Sequence, residues 1–153
     1  MIDTPQIVQT TEQLTAFIHV IVSWDDIKNI MGPGIGELMS TIAAQGIAPT
    51  GPWFTHHRRR PTDTFDFEIS VPVSAPVAAS GRVQPGTWPA MKVARTFYQG
   101  PYEGLADAWG EFMDWIEAHG HTRAEDLYER YLTGPEANPD PASWRTELNQ
   151  PLR

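Results

Sequence analysis

The second half of this chain repeats the order of elements that the first half predicts. Each half has two short β-branched or aromatic runs, an amphipathic helix ending at a glycine (Gly46, Gly120), and two further runs. The halves close on matching tails, residues 65–72 (FDFEISVP) and 144–151 (WRTELNQP), in which an aromatic residue, a glutamate, an aliphatic residue and a proline coincide. The match favours an internal duplication of a ββαββ unit over a chance likeness of two α+β halves.

This duplication predicts the fold class. A length of 153 residues suits one domain, which we divide into a first repeat at 5–75 and a second at 81–152, joined by a small-residue connector. Two such repeats can join edges and place both helices on one face. We therefore expect an α+β fold in which duplicated ββαββ modules form an antiparallel sheet with two helices around a central ligand pocket.

Two proline-glycine segments are predicted to interrupt elements. In the first half, Gly32-Pro33-Gly34 breaks the helical pattern that follows Asp25-Asp26, and Pro33 suits the first turn of a new helix. In the second, Pro85-Gly86 predicts a turn within residues 81–88. The helix after Gly100-Pro101 is the clearest in the chain, since its apolar residues recur at helical spacing up to Ile116.

Composition narrows the function classes. The chain has no cysteine, which excludes disulfides and thiolate sites, and it shows no apolar run near twenty residues and no secretory leader. We therefore expect a cytoplasmic protein without a membrane segment. The net charge is −8 and the one basic run is Arg58-Arg59-Arg60, so we expect no direct nucleic-acid binding and favour a cationic small-molecule ligand.

The run from Leu127 to Leu132 (LYERYL) carries the candidate acid. It reads as a strand on which Leu127, Glu129 and Tyr131 share one face. A carboxylate beside a phenol and aliphatic surface is exposed, paired or directed into a cavity, because burying it alone is costly. The strand alone leaves open whether Glu129 lies in water at a sheet edge, with Arg130 as a cross-strand partner, or faces a pocket.

Aromatic residues are the candidates for a pocket wall. They are Trp53, Phe54, Trp88, Tyr102, Trp109, Phe112 and Trp144, and about half of them are expected to touch a ligand rather than only the core. Glu147 and its repeat partner Glu68 fit a pocket role or a structural role equally well. Adjacent histidines such as His56-His57 point to opposite strand faces, and no third ligand has recognisable spacing, so neither a metal nor a cofactor is expected.

Several segments together resemble a known family. They are residues 100–104 (GPYEG), 116–120 (IEAHG), 128–131 (YERY), 141–148 (PASWRTEL) with Pro151, and 46–52 (GIAPTGP) in the first half. The set is similar to the GyrI-like small-molecule-binding domain, which is also the effector-binding domain of many AraC- and MerR-type multidrug-responsive regulators. The resemblance covers nearly the whole chain and is most specific over residues 100–151.

The resemblance implies a pair of SHS2-type modules with a central pocket for bulky, flat, apolar and often cationic compounds. The family's acidic pocket residue maps onto Glu129, with Tyr131 in its own motif position. This favours the pocket-facing interpretation of Glu129, since a cationic guest makes a buried carboxylate tolerable and aromatic faces add cation–π attraction.

The resemblance leaves three functions open. Only a few residues precede the first strand, so we expect a stand-alone member of unknown oligomeric state without a helix-turn-helix. Such a protein could bind aromatic xenobiotics and so protect the cell, or inhibit a protein such as DNA gyrase. A subset with the aromatic-Glu-x-Tyr strand hydrolyses the cyclopropane of DNA-alkylating natural products. There Glu129 would activate a water and Tyr131 would hydrogen-bond the developing oxyanion.

Overall fold

The computed structural model describes residues 2–135 and 137–153, except for the side chain of Lys28. In this part of the chain the predicted α+β class and the repeated strand-strand-helix-strand-strand order are confirmed. In chain order the elements are β1 (Gln6–Gln9), β2 (Gln13–Ser23), α1 (Ile27–Ala44), β3 (Phe54–His57), β4 (Thr64–Pro72), β5 (Val83–Trp88), β6 (Lys92–Gln99), α2 (Leu105–Ala118), β7 (Leu127–Thr133) and β8 (Arg145–Pro151). Short 3-10 turns precede α1, α2 and β8.

The chain forms two compact units, each with four antiparallel strands and one helix. The first-half unit comprises residues 11–90, and the second-half unit comprises the described residues up to Thr10 and from Met91 onward. Strand order is β3-β4-β2-β5 in the first-half unit and β1-β6-β8-β7 in the second-half unit. Strand β1 therefore pairs with β6, and β5 with β2, so each unit contains the first strand of the other repeat. The division of the sequence into two repeats, at residues 5–75 and 81–152, remains a prediction.

The first-half unit packs α1 on one face of its strands. Buried Ile18 and Val20 of β2 alternate with exposed His19 and Ile21, as expected for a strand with one covered face. The core on that face is completed by Leu38, Ile42, Phe67, Ile69 and Val71, none more than 1% exposed.

The break predicted in α1 is wrong. Helix α1 runs without interruption from Ile27 to Ala44 and contains Pro33. Proline removes one backbone hydrogen bond and normally breaks a helix interior. Here Ile30 and Met31 before the proline, and Ile35 after it, pack against the same core, so tertiary packing holds the helical segments on both sides of Pro33.

The turn predicted at Pro85-Gly86 is also wrong. Strand β5 continues through both residues and pairs with β2, Pro85 opposite Ala16 and Gly86 opposite Thr15. Strand β5 stands at the end of the strand order, and proline is tolerated in an end strand because its missing N–H need not join a ladder. Gly86 lies against the ring of Phe17, where a Cβ would come within 2.7 Å of a ring carbon.

The second-half unit is built in the same way around α2. The buried helix residues are Ala108, Trp109, Phe112, Met113 and Ile116, which lie at the predicted spacing. They pack against Ala94 and Tyr98 of β6, Leu127 of β7 and Leu148 of β8. The α2-facing side of this unit is therefore the one that carries Leu127 and Leu148.

The segment that leads into α2, residues 100–104, is tightly packed against Tyr98. The Tyr98 hydroxyl donates to the carbonyl oxygen of Pro101 at 2.8 Å, and burial raises the pKa of this phenol. A Cβ on Gly100, whose φ is +144°, or on Gly104 would collide with the same hydroxyl. At the other end Gly120, at φ +76°, ends the helix as predicted. Among the described helices, none has the length and apolarity to cross a membrane.

Candidate ligand-binding site around Glu129

Strand β7 presents Glu129 to the helix side of the second-half unit. Its alternation places Leu127, Glu129 and Tyr131 together, as predicted, and Glu129 pairs in register with Leu148 of β8. Because Leu127 and Leu148 both belong to the core under α2, the carboxylate shares their face. The edge-strand alternative placed Glu129 in water with Arg130 as a cross-strand partner. Arg130 does lie opposite Glu147 of β8 and donates to it, but on the other face of β7 from Glu129.

Two aromatic donors hold the carboxylate. Trp109 Nε1 donates to Glu129 Oε2 at 2.6 Å, and the Tyr131 hydroxyl donates to Glu129 Oε1 at 2.6 Å. Both distances are at the short end of the range for hydrogen bonds. Trp109 and Tyr131 are 7% and 9% exposed, while Glu129 is partly buried. The site therefore fixes an acceptor group between two rings.

Further rings continue from Tyr131. Tyr102 meets Tyr131 edge to face with centroids 6.0 Å apart, and lies 4.8 Å from the ring of Trp144. Trp144 is anchored through Nε1, which donates to the carbonyl oxygen of Asn138 at 2.8 Å. Of the aromatic candidates, Tyr102, Trp109 and Trp144 thus gather with Tyr131 in one unit. Phe112, fully buried beside Trp109 at 5.6 Å, supports the indole from the core.

Three predicted wall residues belong to the first-half unit. Phe54 and Trp88 are buried there with ring centroids 4.8 Å apart, and Trp53 packs against the core under α1. Their predicted contact with a ligand stays a prediction.

Glu147 lies on the opposite face of β8 from Leu148. It accepts from Arg130 Nη2 at 2.8 Å and from Asn149 Nδ2 at 2.9 Å, and Arg95 Nε is 3.4 Å away. Burial lowers the pKa of Arg95, and Arg130 lowers it further, whereas Glu147 raises it. A carboxylate only 4% exposed is tolerable with two guanidinium groups beside it. The geometry gives Glu147 a structural environment, and its predicted ligand role stays untested.

The repeat shows that the fold does not require the acid. In the first-half unit Thr55 pairs with Ile69 as Glu129 pairs with Leu148, so Thr55 holds the equivalent position. The Thr55 hydroxyl lies 3.1 Å from Nε2 of His57, just as Glu129 contacts the residue two further along its strand. One position thus serves as a neutral side chain in one unit and as a carboxylate in the other.

Sequence reasoning missed the indole of Trp109 as a donor to Glu129. Its helical spacing marked Trp109 as core-facing, but nothing in the pattern states where Nε1 points.

Comparison with known proteins agrees with this architecture. The C-terminal domain of EcmrR superimposes with a TM-score of 0.87 at 22% identity, over 98% of this chain and 97% of that one. A hydrolase from Listeria innocua gives 0.71 at 12% identity over 97% and 91%. SAV2435, solved bound to tetraphenylphosphonium, gives 0.65 at 12% identity over 99% and 94%. At these identities the likeness concerns the fold.

Three further findings define the relationship of this chain to known proteins. This chain spans 57% of the EcmrR chain seen in its complex with DNA. No curated protein matches the sequence significantly. The GyrI-like small molecule binding domain matches residues 3–153. Since that match takes in almost the entire sequence, the chain belongs to the GyrI-like small-molecule-binding domain family.

Proposed function

We propose that this protein binds bulky, flat aromatic compounds, cationic ones in particular, at the Glu129 site, and that it protects the cell by sequestering them. The observation that carries the proposal is the carboxylate of Glu129, held by Trp109 and Tyr131 at 2.6 Å each beside further rings. A fixed anionic group next to aromatic faces is suited to a delocalised cation. Family membership supports the small-molecule part of the proposal.

The geometry of the two hydrogen bonds to Glu129 favours a positively charged ligand. An ionised carboxylate only accepts hydrogen bonds, and both donors here are an N–H and an O–H directed at its oxygens. These bonds orient the carboxylate but do not neutralise its charge. A cation in van der Waals contact with Tyr131 and Tyr102 would supply the positive charge that compensates the carboxylate. An anion of the same shape would be repelled.

The test uses two ions of equal shape and opposite charge. Tetraphenylphosphonium is titrated into the protein by calorimetry, with tetraphenylborate as the matched anion. We expect the cation to bind at least about tenfold more tightly than the anion, and Glu129→Gln to remove most of that preference. Glu125→Gln, an exposed acid, is the control and should preserve it. Equal binding of both ions by the wild type would refute the cation preference.

Hydrolysis of a cyclopropane-bearing alkylator at the same site is the second candidate. A carboxylate oxygen can accept more than one hydrogen bond, so Glu129 can also take a proton from water. The water oxygen would bond to the cyclopropyl carbon, the strained C–C bond would break, and its electron pair would pass to the conjugated carbonyl. Tyr131 must leave Glu129 before it can donate to that oxyanion, which makes binding the better-supported function.

Mass spectrometry separates the two candidates. The protein is incubated with a cyclopropane-containing alkylator, and the small molecule is then analysed. Gain of one water with the wild type, and not with Glu129→Gln, would establish the hydrolase. Unchanged compound that co-elutes with the protein would leave binding alone.

A further inference from the structure

Thr146 carries a buried hydroxyl without a hydrogen-bond partner in the described part of the chain. The residue is 0% exposed, and no donor or acceptor among residues 2–135 and 137–153 satisfies its Oγ1. Buried polar groups are nearly always paired, because losing water without gaining a partner is unfavourable. Such an atom beside a candidate binding site calls for an explanation.

The strand register places Thr146 next to the Glu129 site. It lies on the α2-facing side of β8, opposite Tyr131 on one neighbouring strand and opposite Tyr98 on the other. Side chains directly opposite in antiparallel strands are close neighbours. Both phenols are engaged elsewhere, since Tyr131 donates to Glu129 and Tyr98 donates to the carbonyl oxygen of Pro101.

The position of Thr146 is occupied by a phenylalanine in the first-half unit. Phe67 pairs with His57 as Thr146 pairs with Tyr131, so Phe67 is the equivalent residue of the first-half unit. Its side chain is 1% exposed and stacks on His57 with centroids 5.2 Å apart. The second-half unit therefore has a smaller, polar side chain where the fold elsewhere accommodates a phenylalanine, and it has it directly beside the carboxylate site.

A bulge in β7 begins at the same place. The pairing with β8 shifts between Tyr131 and Thr133, so Leu132 is an extra residue, 38% exposed. Bulges are enriched next to binding and active sites, where they redirect a side chain. Small volume, an unsatisfied hydroxyl and a local bulge thus coincide at the residue opposite Tyr131.

We infer that Thr146 Oγ1 is a ligand contact of this site and selects cations that carry an N–H group. The inference rests on the proposed binding function. A hydroxyl can accept a hydrogen bond from a protonated amine or ring N–H while Glu129 supplies the opposite charge. A quaternary cation has no such donor and leaves the hydroxyl unsatisfied. Thr146 is thereby a specificity-determining residue, and Glu129 sets the preference for positive charge.

The experiment compares two flat cations, 9-aminoacridinium, which has N–H donors, and 10-methylacridinium, which has none on its ring nitrogen. The measured quantity is the ratio of their dissociation constants, obtained by fluorescence titration. We expect the wild type to favour the N–H cation, and the near-isosteric Thr146→Val to reduce that ratio by roughly tenfold. Thr146→Ser keeps the hydroxyl and should retain the preference.

Folding is followed in the same variants. Thr146→Val removes an unsatisfied hydroxyl, so the unliganded variant should melt at the wild-type temperature or above it. Thr96→Val is the matched control on β6, because the Thr96 hydroxyl donates to the carbonyl oxygen of Asp3 at 2.7 Å. That control should melt lower and keep the wild-type ratio of dissociation constants.

The outcomes separate this inference from the function on which it rests. If Thr146→Val leaves the ratio unchanged while the wild type binds both acridinium cations, the inference is overturned and the binding function stands. If the wild type binds neither acridinium cation nor tetraphenylphosphonium, the binding function itself is wrong and the inference falls with it.

Discussion

Trp109 Nε1 and Glu129 Oε2 are joined by a 2.6 Å hydrogen bond that links helix α2 to strand β7. The indole is otherwise a core side chain, packed 5.6 Å from Phe112. One residue thus fills the core and orients the acid. The position of the Glu129 carboxylate therefore depends on how α2 packs against the strands as well as on β7 itself.

Trp109→Phe should weaken cation binding and leave the fold intact. The ring still fills the core, but the N–H donor is lost and Glu129 no longer receives the hydrogen bond from α2. We expect affinity for tetraphenylphosphonium to fall about five- to tenfold, the usual effect of losing one oriented hydrogen bond. Calorimetry measures it. Trp115→Phe, on the same helix but stacked on His119, is the control and should bind as the wild type does.

Gly104→Ala should destabilise the protein. Its Cβ would collide with the Tyr98 hydroxyl, which is itself bonded to Pro101. We expect a loss of about 1–3 kcal/mol in the free energy of unfolding, as for other overpacked sites. Gly110→Ala within α2 meets no atom within 4 Å and should gain about 0.5–1 kcal/mol from helix propensity. Urea unfolding of both variants tests the opposite signs.

Pro33→Ala should stabilise α1. Alanine restores the N–H that the helix interior lacks at this position, and the packing of Ile30 and Ile35 holds the helix in place in either case. We expect a gain of up to about 3 kcal/mol, the penalty typical of an interior proline. Thermal unfolding measures it. A lower melting temperature would mean that the packing of α1 depends on a bend at Pro33.

Glu68→Gln should change the acid sensitivity of the fold. Burial acts to raise the pKa of Glu68, but the hydrogen bonds and charges of His56 and Arg58 outweigh it and hold this pKa below the usual 4.5. A depressed carboxyl pKa stabilises the folded state above the unfolded-state value, and this contribution disappears as the pH falls through the folded-state pKa.

The glutamine variant should therefore lose about 1–2 kcal/mol of unfolding free energy at neutral pH, as expected for removal of charge-assisted hydrogen bonds. The difference from the wild type should shrink steadily as the pH falls below 4.5. Urea unfolding across this range measures it. An equal loss at every pH would show that shape, and not charge, is what Glu68 contributes.

Helices and strands whose apolar residues recur at a regular spacing could be predicted from the sequence. The face shared by Leu127, Glu129 and Tyr131 follows from the strand period, and the buried side of α2 follows from the helical one. The two errors, at Pro33 and at Pro85-Gly86, have one cause. Local propensity disfavours proline in an element, but packing under α1 and the end position of β5 outweigh it.

The sequence by itself determined the ββαββ order of each half, the α+β class and the common face of Leu127, Glu129 and Tyr131 on β7, because these depend on periodicity and on the spacing of residues along the chain. Only the tertiary structure decided that β1 and β5 pair within the other half's unit, that Trp109 donates to Glu129, and that Thr146 lies beside Tyr131 with an unsatisfied hydroxyl. Those relations join residues distant in the chain, and their distances and directions are set by packing, which no local pattern encodes.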